Sequence, residues 1–302
     1  MFFPIADIHV SAIALAMLGL IVGVLGGFFG VGGGFLAGPM MYILGVPMNF
    51  VVGTDLAHMT GKSVVAAKRH HTLGHVDMKL GFLMVIGTIV GIELGAQVVE
   101  LLQSWEFLEL VNGLLYVILL ISISLFVMWE SRKSLKTKSM EVLPAKEAIS
   151  FKTVSKRIQA IKIPPMINLP ESGIESISVW VIIFVGIFTG FLAGLLGVGG
   201  GFIRMPALVY LIGCPTHIAI GTDLFEIIIS ASFGTVTHSL KGNVDIMMAL
   251  VMHTGAAIGA SIGASMTKYL TGPNIRFYFS FLPLIGALLM IYALVSGGVI
   301  NF

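Results

Sequence analysis

Two sets of ionisable residues stand at helical spacing inside long apolar runs. Asp55, His58 and Lys62 fall at i, i+3 and i+7, one face of a helix. Asp223, Glu226 and Ser230 repeat that spacing 168 residues later. Acid, imidazole and amine on one face can form ion pairs that fix helix register, or can pass protons. Arg204 adds a planar guanidinium, which suits an oxyanion or else snorkels to a membrane surface. His70 and His238 lie at helix ends, where a histidine caps carbonyls or accepts a proton. His71 and His75 beside His70 raise the question of a metal, but neither recurs in the second half, and no metal site is expected. His253 and Glu93 are singletons in apolar helices. Cys214, the one cysteine, excludes an internal disulfide and reads as packing.

Glycine clusters form the second candidate chemistry. Gly30-Val31-Gly32-Gly33-Gly34 and Gly197-Val198-Gly199-Gly200-Gly201 interrupt apolar runs. Each glycine costs about 1 kcal/mol against alanine in a helix, so three in a row unwind it. Unwound backbone at membrane depth must face protein or a watery cavity. A helix restarting at Phe35 or Phe202 points free N–H groups and its positive dipole end at that cavity, which makes an anion site of backbone. Gly32, Gly33, Gly34, Gly199, Gly200 and Gly201 are therefore candidate anion ligands, joined by Lys62, Arg204, Thr54 and Thr222. A valine at Gly33 or Gly200 is expected to fill the anion's place. No Lys-Ser/Thr follows the glycines, so they are no P-loop, and the strand–turn–helix context of a dinucleotide fingerprint is missing. The competing reading is close helix packing, preferred for the ladders Gly87, Gly91, Gly95 and Gly255, Gly259, Gly263.

Membrane helices must position these residues. The chain is 57% hydrophobic and 11% charged with mean hydropathy +1.01, where a soluble domain carries roughly 25% charge. Apolar stretches near 10–29, 50–67, 77–99, 107–129, 178–196, 218–237, 244–267 and 275–297 are long enough to cross a core of ~30 Å. The runs 35–46 and 202–213 are too short and read as half-helices. No Lys or Arg precedes Lys62, which speaks against a secretory signal peptide.

The chain also repeats itself. Gly27–Phe35 returns as Gly194–Phe202, and Gly53-Thr54-Asp55-Leu56 as Gly221-Thr222-Asp223-Leu224. The offset slips from 167 to 168 between Pro39 and Gly45, whose counterparts are Pro206 and Gly213. Nine of the 17 Lys and Arg lie between Arg132 and Lys162, so the segment 130–176 is expected in the cytoplasm, as a tether or a basic amphipathic helix. The turn at 68–79 is basic and that at 100–109 acidic, whereas the counterpart of the latter, 268–276, is basic. Charge thus swaps sides between the halves, which points to repeats related by an axis in the membrane plane. The expectation is an all-α polytopic membrane protein: two inverted structural repeats with Gly-broken helices, about 8 long spans plus 2 half-helices. Its parts are a first repeat 1–129, a cytoplasmic linker 130–176 and a second repeat 177–302, with both termini outside.

Paired Gly-x-Gly-Gly-Gly loops, each followed by a short apolar run with proline (Pro39, Pro206), resemble the TauE/SafE sulfite exporter family. So do the Gly-Thr-x-Leu helix starts at Gly53 and Gly221 and the His-x-x-x-Gly-x-Val-Asp turns His70–Asp77 and His238–Asp245. The resemblance covers nearly the whole chain apart from the linker. It implies carriage of small anions, mostly sulfur oxyanions and organosulfonates such as sulfite, thiosulfate or sulfoacetate, across the cytoplasmic membrane of prokaryotes. Asp55 and Asp223 stand where serine is common in the family's pattern, which leaves anion and coupling ion open.

The reading is a secondary anion transporter working by alternating access. Asp55, His58, Asp223, Glu226, His70 and His238 are the candidate proton-coupling groups. Its partners are a small anion, protons and the bilayer, with no nucleic acid, no cofactor and oligomeric state open. A passive anion channel and a permease for a non-sulfur carboxylate are the alternatives. An intramembrane enzyme would need a nucleophile–base set or a metal triad, and the candidates above provide neither.

Overall fold

The computed structural model describes residues 1–104, 108–140, 149–196 and 200–296. A two-stranded hairpin, β1 (Phe2–Phe3) with β2 (Ile8–His9), leads into α1 (Ala12–Phe29), α2 (Gly34–Ile43), α3 (Met48–Thr72), α4 (Met78–Ser104) and α5 (Leu108–Met140). Next come α6 (Ile149–Gln159) and a second hairpin, β3 (Met166–Leu169) with β4 (Ile174–Ser178). The chain ends with α7 (Val179–Leu196), α8 (Gly201–Ala207), α9 (Thr216–Leu240), α10 (Ile246–Met266), α11 (Gly272–Phe279) and α12 (Phe281–Ser296).

Seven helical stretches among the described residues are long and apolar enough to cross a membrane. α3 is not among them, although its 25 residues match the length of α9. Asp55, His58, Lys62, Lys68 and Arg69 lower its hydropathy, and its charged face is buried by other helices. The short α2 and α8 begin at Gly33 and Gly200, each in the left-handed region with φ of 79° and 71°. Glycine reaches that conformation without the Cβ clash that other residues suffer, so both half-helices start where the expected breaks lie.

Helices of one half pack mainly on the other half: α1 on α10, α7 on α4, α3 on α9, and α5 on α12. The glycine ladders make the first two seams. A Cβ on Gly87, Gly91 or Gly95 would lie 2.1–2.4 Å from a carbonyl oxygen of α7, and one on Gly255, Gly259 or Gly263 would lie 2.0–2.2 Å from one of α1. The packing reading of these ladders is therefore right. Contacts at the helix ends give the relative directions. Gly53, near the start of α3, abuts Asn243 just past the end of α9, and Gly221, near the start of α9, abuts His75 just past the end of α3. The counterparts α3 and α9 thus run antiparallel.

Two features lie beyond the sequence reading. A hairpin precedes the first helix of each half and docks on the other half. Asp77 caps α4 through Leu80 N (3.0 Å) and accepts from Ser172 Oγ of the second hairpin at 2.7 Å. Asp245 caps α10 through Met248 N (3.0 Å) and accepts from Ala6 N of the first hairpin at 3.2 Å. The one-residue slip also has a structural cause. The extra residue before Gly213 is absorbed by a π-helical turn, Leu208–Ile212, with Gly213 N donating to Leu208 O at 3.0 Å. An i→i+5 turn takes up one more residue than an α-turn, so α9 keeps its place.

Candidate functional site

In the second half, α8 carries Arg204 back from the glycine loop onto α9. Its Nη1 donates to Asp223 Oδ1 at 2.8 Å and to Glu226 Oε2. Its Nε donates to Thr189 Oγ1 of α7 at 3.3 Å, and Ser230 Oγ donates to Glu226 Oε2 at 3.1 Å. Arg204, Asp223 and Glu226 are each 0% exposed. The guanidinium therefore does not snorkel; it sits in the core between two carboxylates. Arg204 Nη2, Asp223 Oδ2 and Glu226 Oε1 have no hydrogen-bond partner among the described residues. Two of these atoms lie at the loop: a Cβ on Gly200 would be 3.0 Å from Arg204 Nη2, and one on Gly201 would be 2.8 Å from Asp223 Oδ2.

The first half builds a different network from the same helical spacing. Lys62 Nζ lies 2.9 Å from His58 Nε2, and His58 Nδ1 lies 2.8 Å from Asp55 Oδ1. An ammonium has donors only, so Nε2 accepts and Nδ1 carries the proton to Asp55. Lys62 and Asp55 are thus joined through the imidazole. All three are at most 2% exposed. Ala37 stands at the position of Arg204, so this half has no guanidinium.

The two sets remain separate networks rather than one cluster. Gly32 abuts both Met59 and Ile227, which marks where α3 crosses α9. Leu56, Met59, Ile227 and Ala231 form a small apolar cluster of their own at that crossing. Asp55 and Asp223 each precede the crossing by a helical turn, and since the helices are antiparallel they fall on opposite sides of it. The glycine loops do come together. A Cβ on Gly201 would lie 2.7 Å from the Val31 backbone. Gly32, Gly33 and Gly34 are buried at this junction with Gly200 and Gly201, while Gly199 lies outside the described residues.

The other candidates have structural employment. Thr54 Oγ1 accepts from Asp245 N at 3.0 Å and Thr222 Oγ1 from Asp77 N at 2.9 Å, so each threonine ties down the turn opening a helix of the other half. His70 Nε2 donates to Gly27 O at 3.0 Å and His238 Nε2 to Gly194 O at 3.1 Å, capping carbonyls one turn before each glycine loop. His70 Nδ1 also meets His75 Nδ1 at 3.3 Å. Burial holds the His75 imidazole below its usual range, and the nearby His217 adds to this. Cys214, just before α9, is 3% exposed. Burial pushes its thiol up to about 12, with the Asp77 charge adding and a Ser172 hydrogen bond opposing. His253 packs its ring on Gly61, and Glu93 accepts from Gln97 and Thr237.

Three residues escaped the sequence reading. Tyr116 of α5 is buried and donates to Gly34 O at 2.9 Å, Asn112 donates to Leu195 O at 3.1 Å, and Thr189 accepts from Arg204. Each holds the backbone or side chains next to a glycine loop. The one signal they gave was a polar group inside an otherwise apolar span.

Comparison with known proteins agrees with this architecture. The family model described as Sulfite exporter TauE/SafE matches residues 15–290. A probable membrane transporter protein of Bacillus subtilis, YunE, is 29% identical over 266 residues, covering 85% of this chain and 89% of its own. YjnA, another probable membrane transporter protein of Bacillus subtilis, is 23% identical over 283 residues, covering 93% and 100%. A probable membrane transporter protein of Methanocaldococcus jannaschii, MJ0441, is 24% identical over 282 residues, covering 88% and 90%. No solved structure gives a significant match.

Proposed function

The chain belongs to the TauE/SafE sulfite exporter family and is a multi-pass membrane transporter, and from that premise we propose that it carries small sulfur oxyanions or organosulfonates by proton-coupled alternating access. Sulfite, thiosulfate and sulfoacetate are the candidate anions, and the membrane is the cytoplasmic membrane of a prokaryote. The observation that carries the reading is the junction of the two glycine loops beside a buried guanidinium with one nitrogen unpartnered among the described residues. Backbone N–H groups and Arg204 Nη2 offer an oxyanion its donors.

The carboxylates beside Arg204 oppose an anion when both are ionised. Protonating one removes a negative charge and frees the guanidinium, so proton and anion bind together. The Asp55–His58–Lys62 relay supplies a second proton path. Both networks are closed to solvent, which suits an intermediate between outward- and inward-open forms. Inversion of the two halves is supported by the antiparallel run of α3 and α9 and by the exchange of helical partners. Such halves can trade conformations and open to each side in turn.

Anion counterflow in proteoliposomes tests the reading. Internal sulfite, thiosulfate or sulfoacetate should accelerate uptake of the labelled anion, with a rate that depends on pH. Conductance without trans-stimulation would make the protein a channel. Stimulation only by carboxylates would move it to a non-sulfur substrate.

A further inference from the structure

One surface of the molecule meets the anion site only at its inner end, where Thr189 reaches Arg204. An apolar groove with a cavity volume of about 660 Å³ runs between α7 and the half-helix α8 with its π-turn, and the linker closes one end of it. Ile158, Ile161 and Ile163 of the linker form that end. The α7 wall extends from Trp180 to Thr189, and Ile203 and Leu211 form the facing wall. The nine steps from Trp180 to Thr189 along α7 span ~14 Å, about one leaflet of a ~30 Å hydrocarbon core. Trp180 is 55% exposed and its indole N–H donates to Pro164 O at 3.0 Å, which marks the polar end of the groove.

The basic residues of the linker border that polar end. Lys156 and Arg157 lie on α6 beside Ile158, and Lys162 lies between Ile161 and Ile163. All three are exposed, and none forms an ion pair among the described residues. α6 itself is held to the π-turn, since Gln159 Nε2 donates to Ile212 O at 2.8 Å. Apolar seat and cationic rim are therefore fixed to the same half-helix.

We propose that this groove binds an anionic phospholipid of the leaflet on the linker's side. One acyl chain lies between α7 and α8, and the phosphate meets Lys156, Arg157 and Lys162. Near a membrane each basic residue attracts anionic lipid by about 1 kcal/mol, which no zwitterionic lipid with the same chains receives. The occupied groove would brace α8 at Ile203, next to Arg204.

Trp180 is the reporter. The full-length protein with Trp105→Phe and Trp129→Phe keeps Trp180 as its one tryptophan. It is reconstituted in phosphatidylcholine vesicles containing dibrominated phosphatidylglycerol, or dibrominated phosphatidylcholine as the control. Trp180 quenching should saturate at low mole fraction of the brominated phosphatidylglycerol and follow the bulk fraction of the control. Lys156→Gln, Arg157→Gln and Lys162→Gln should each weaken the preference about fivefold and together abolish it. Equal quenching by the two brominated lipids, or a preference that survives the triple variant, overturns the proposal. Anion counterflow by the triple variant shows separately that the transporter is intact.

Discussion

Arg204 faces two carboxylates and a hydroxyl, with one nitrogen unpartnered among the described residues, and its worth lies in what its removal would strand. Breaking a buried pair leaves uncompensated charge and costs about 3–5 kcal/mol. Arg204→Met should destabilise the protein by that order in denaturant unfolding. Adding Asp223→Asn and Glu226→Gln should restore most of the loss. If the triple variant is no more stable than Arg204→Met, the carboxylates are not what Arg204 compensates. The relay in the other half makes a separate prediction. His58→Gln interrupts the link from Lys62 to Asp55 while keeping polar volume. Counterflow should lose much of its pH dependence, and thermal shift by the anion should persist; an unchanged pH profile would leave His58 a structural spacer. The sequence showed the residues of both networks but not their wiring. Spacing on one helix says which side chains share a face, and the direction in which the partner helix crosses decides which faces meet.

The helical seams depend on backbone contact. A Cβ on Gly91 would lie 2.2 Å from Ile187 O and 2.5 Å from Phe191 N. Overpacking of this kind costs about 1–3 kcal/mol. Gly91→Ala should therefore lower the melting temperature in detergent, and Gly259→Ala, 2.2 Å from Leu20 O across the other seam, should do the same. A melting temperature unchanged in both would mean that the seams relax freely. Gly33 belongs to this class as well. The expected blocking valine would collide with Val22, 2.5 Å from the Cβ position, before reaching any anion, so Gly33→Val should fail in folding rather than in binding. The repeat, the breaks and the half-helices were all legible as glycine and proline spacing. The hairpins were not, because strands of two to five residues leave almost no pattern. Pro4 and Pro170 do correspond, at an offset one residue short of the helical register.

The arrangement of the two halves in the membrane can be tested with a single reporter. Cys214 is buried and its thiol is held protonated, so the native protein should resist a membrane-impermeant maleimide. Phe2→Cys and Lys162→Cys would each place a thiol at an exposed position, one on the first hairpin and one beside the linker. In right-side-out cells the maleimide should label position 2 and spare position 162, and inverted vesicles should reverse the result. Labelling of both from one side would contradict the inverted reading. The charge distribution carries this expectation, since the basic residues crowd into one segment.

The exchange of helical partners has a consequence for biogenesis. α1 leaves the ribosome long before α10, the helix that covers its glycine face. At ~5–20 residues per second, the more than two hundred residues between them take roughly ten to fifty seconds to synthesise. During that interval the first half sits in the bilayer with its charged α3 face uncovered, bearing Asp55, His58 and Lys62. A nascent chain of this kind needs shelter from an insertase or chaperone until its second half arrives. Stalling translation within the linker should therefore yield a fragment that is inserted but degraded, and co-expression of the missing half should rescue it.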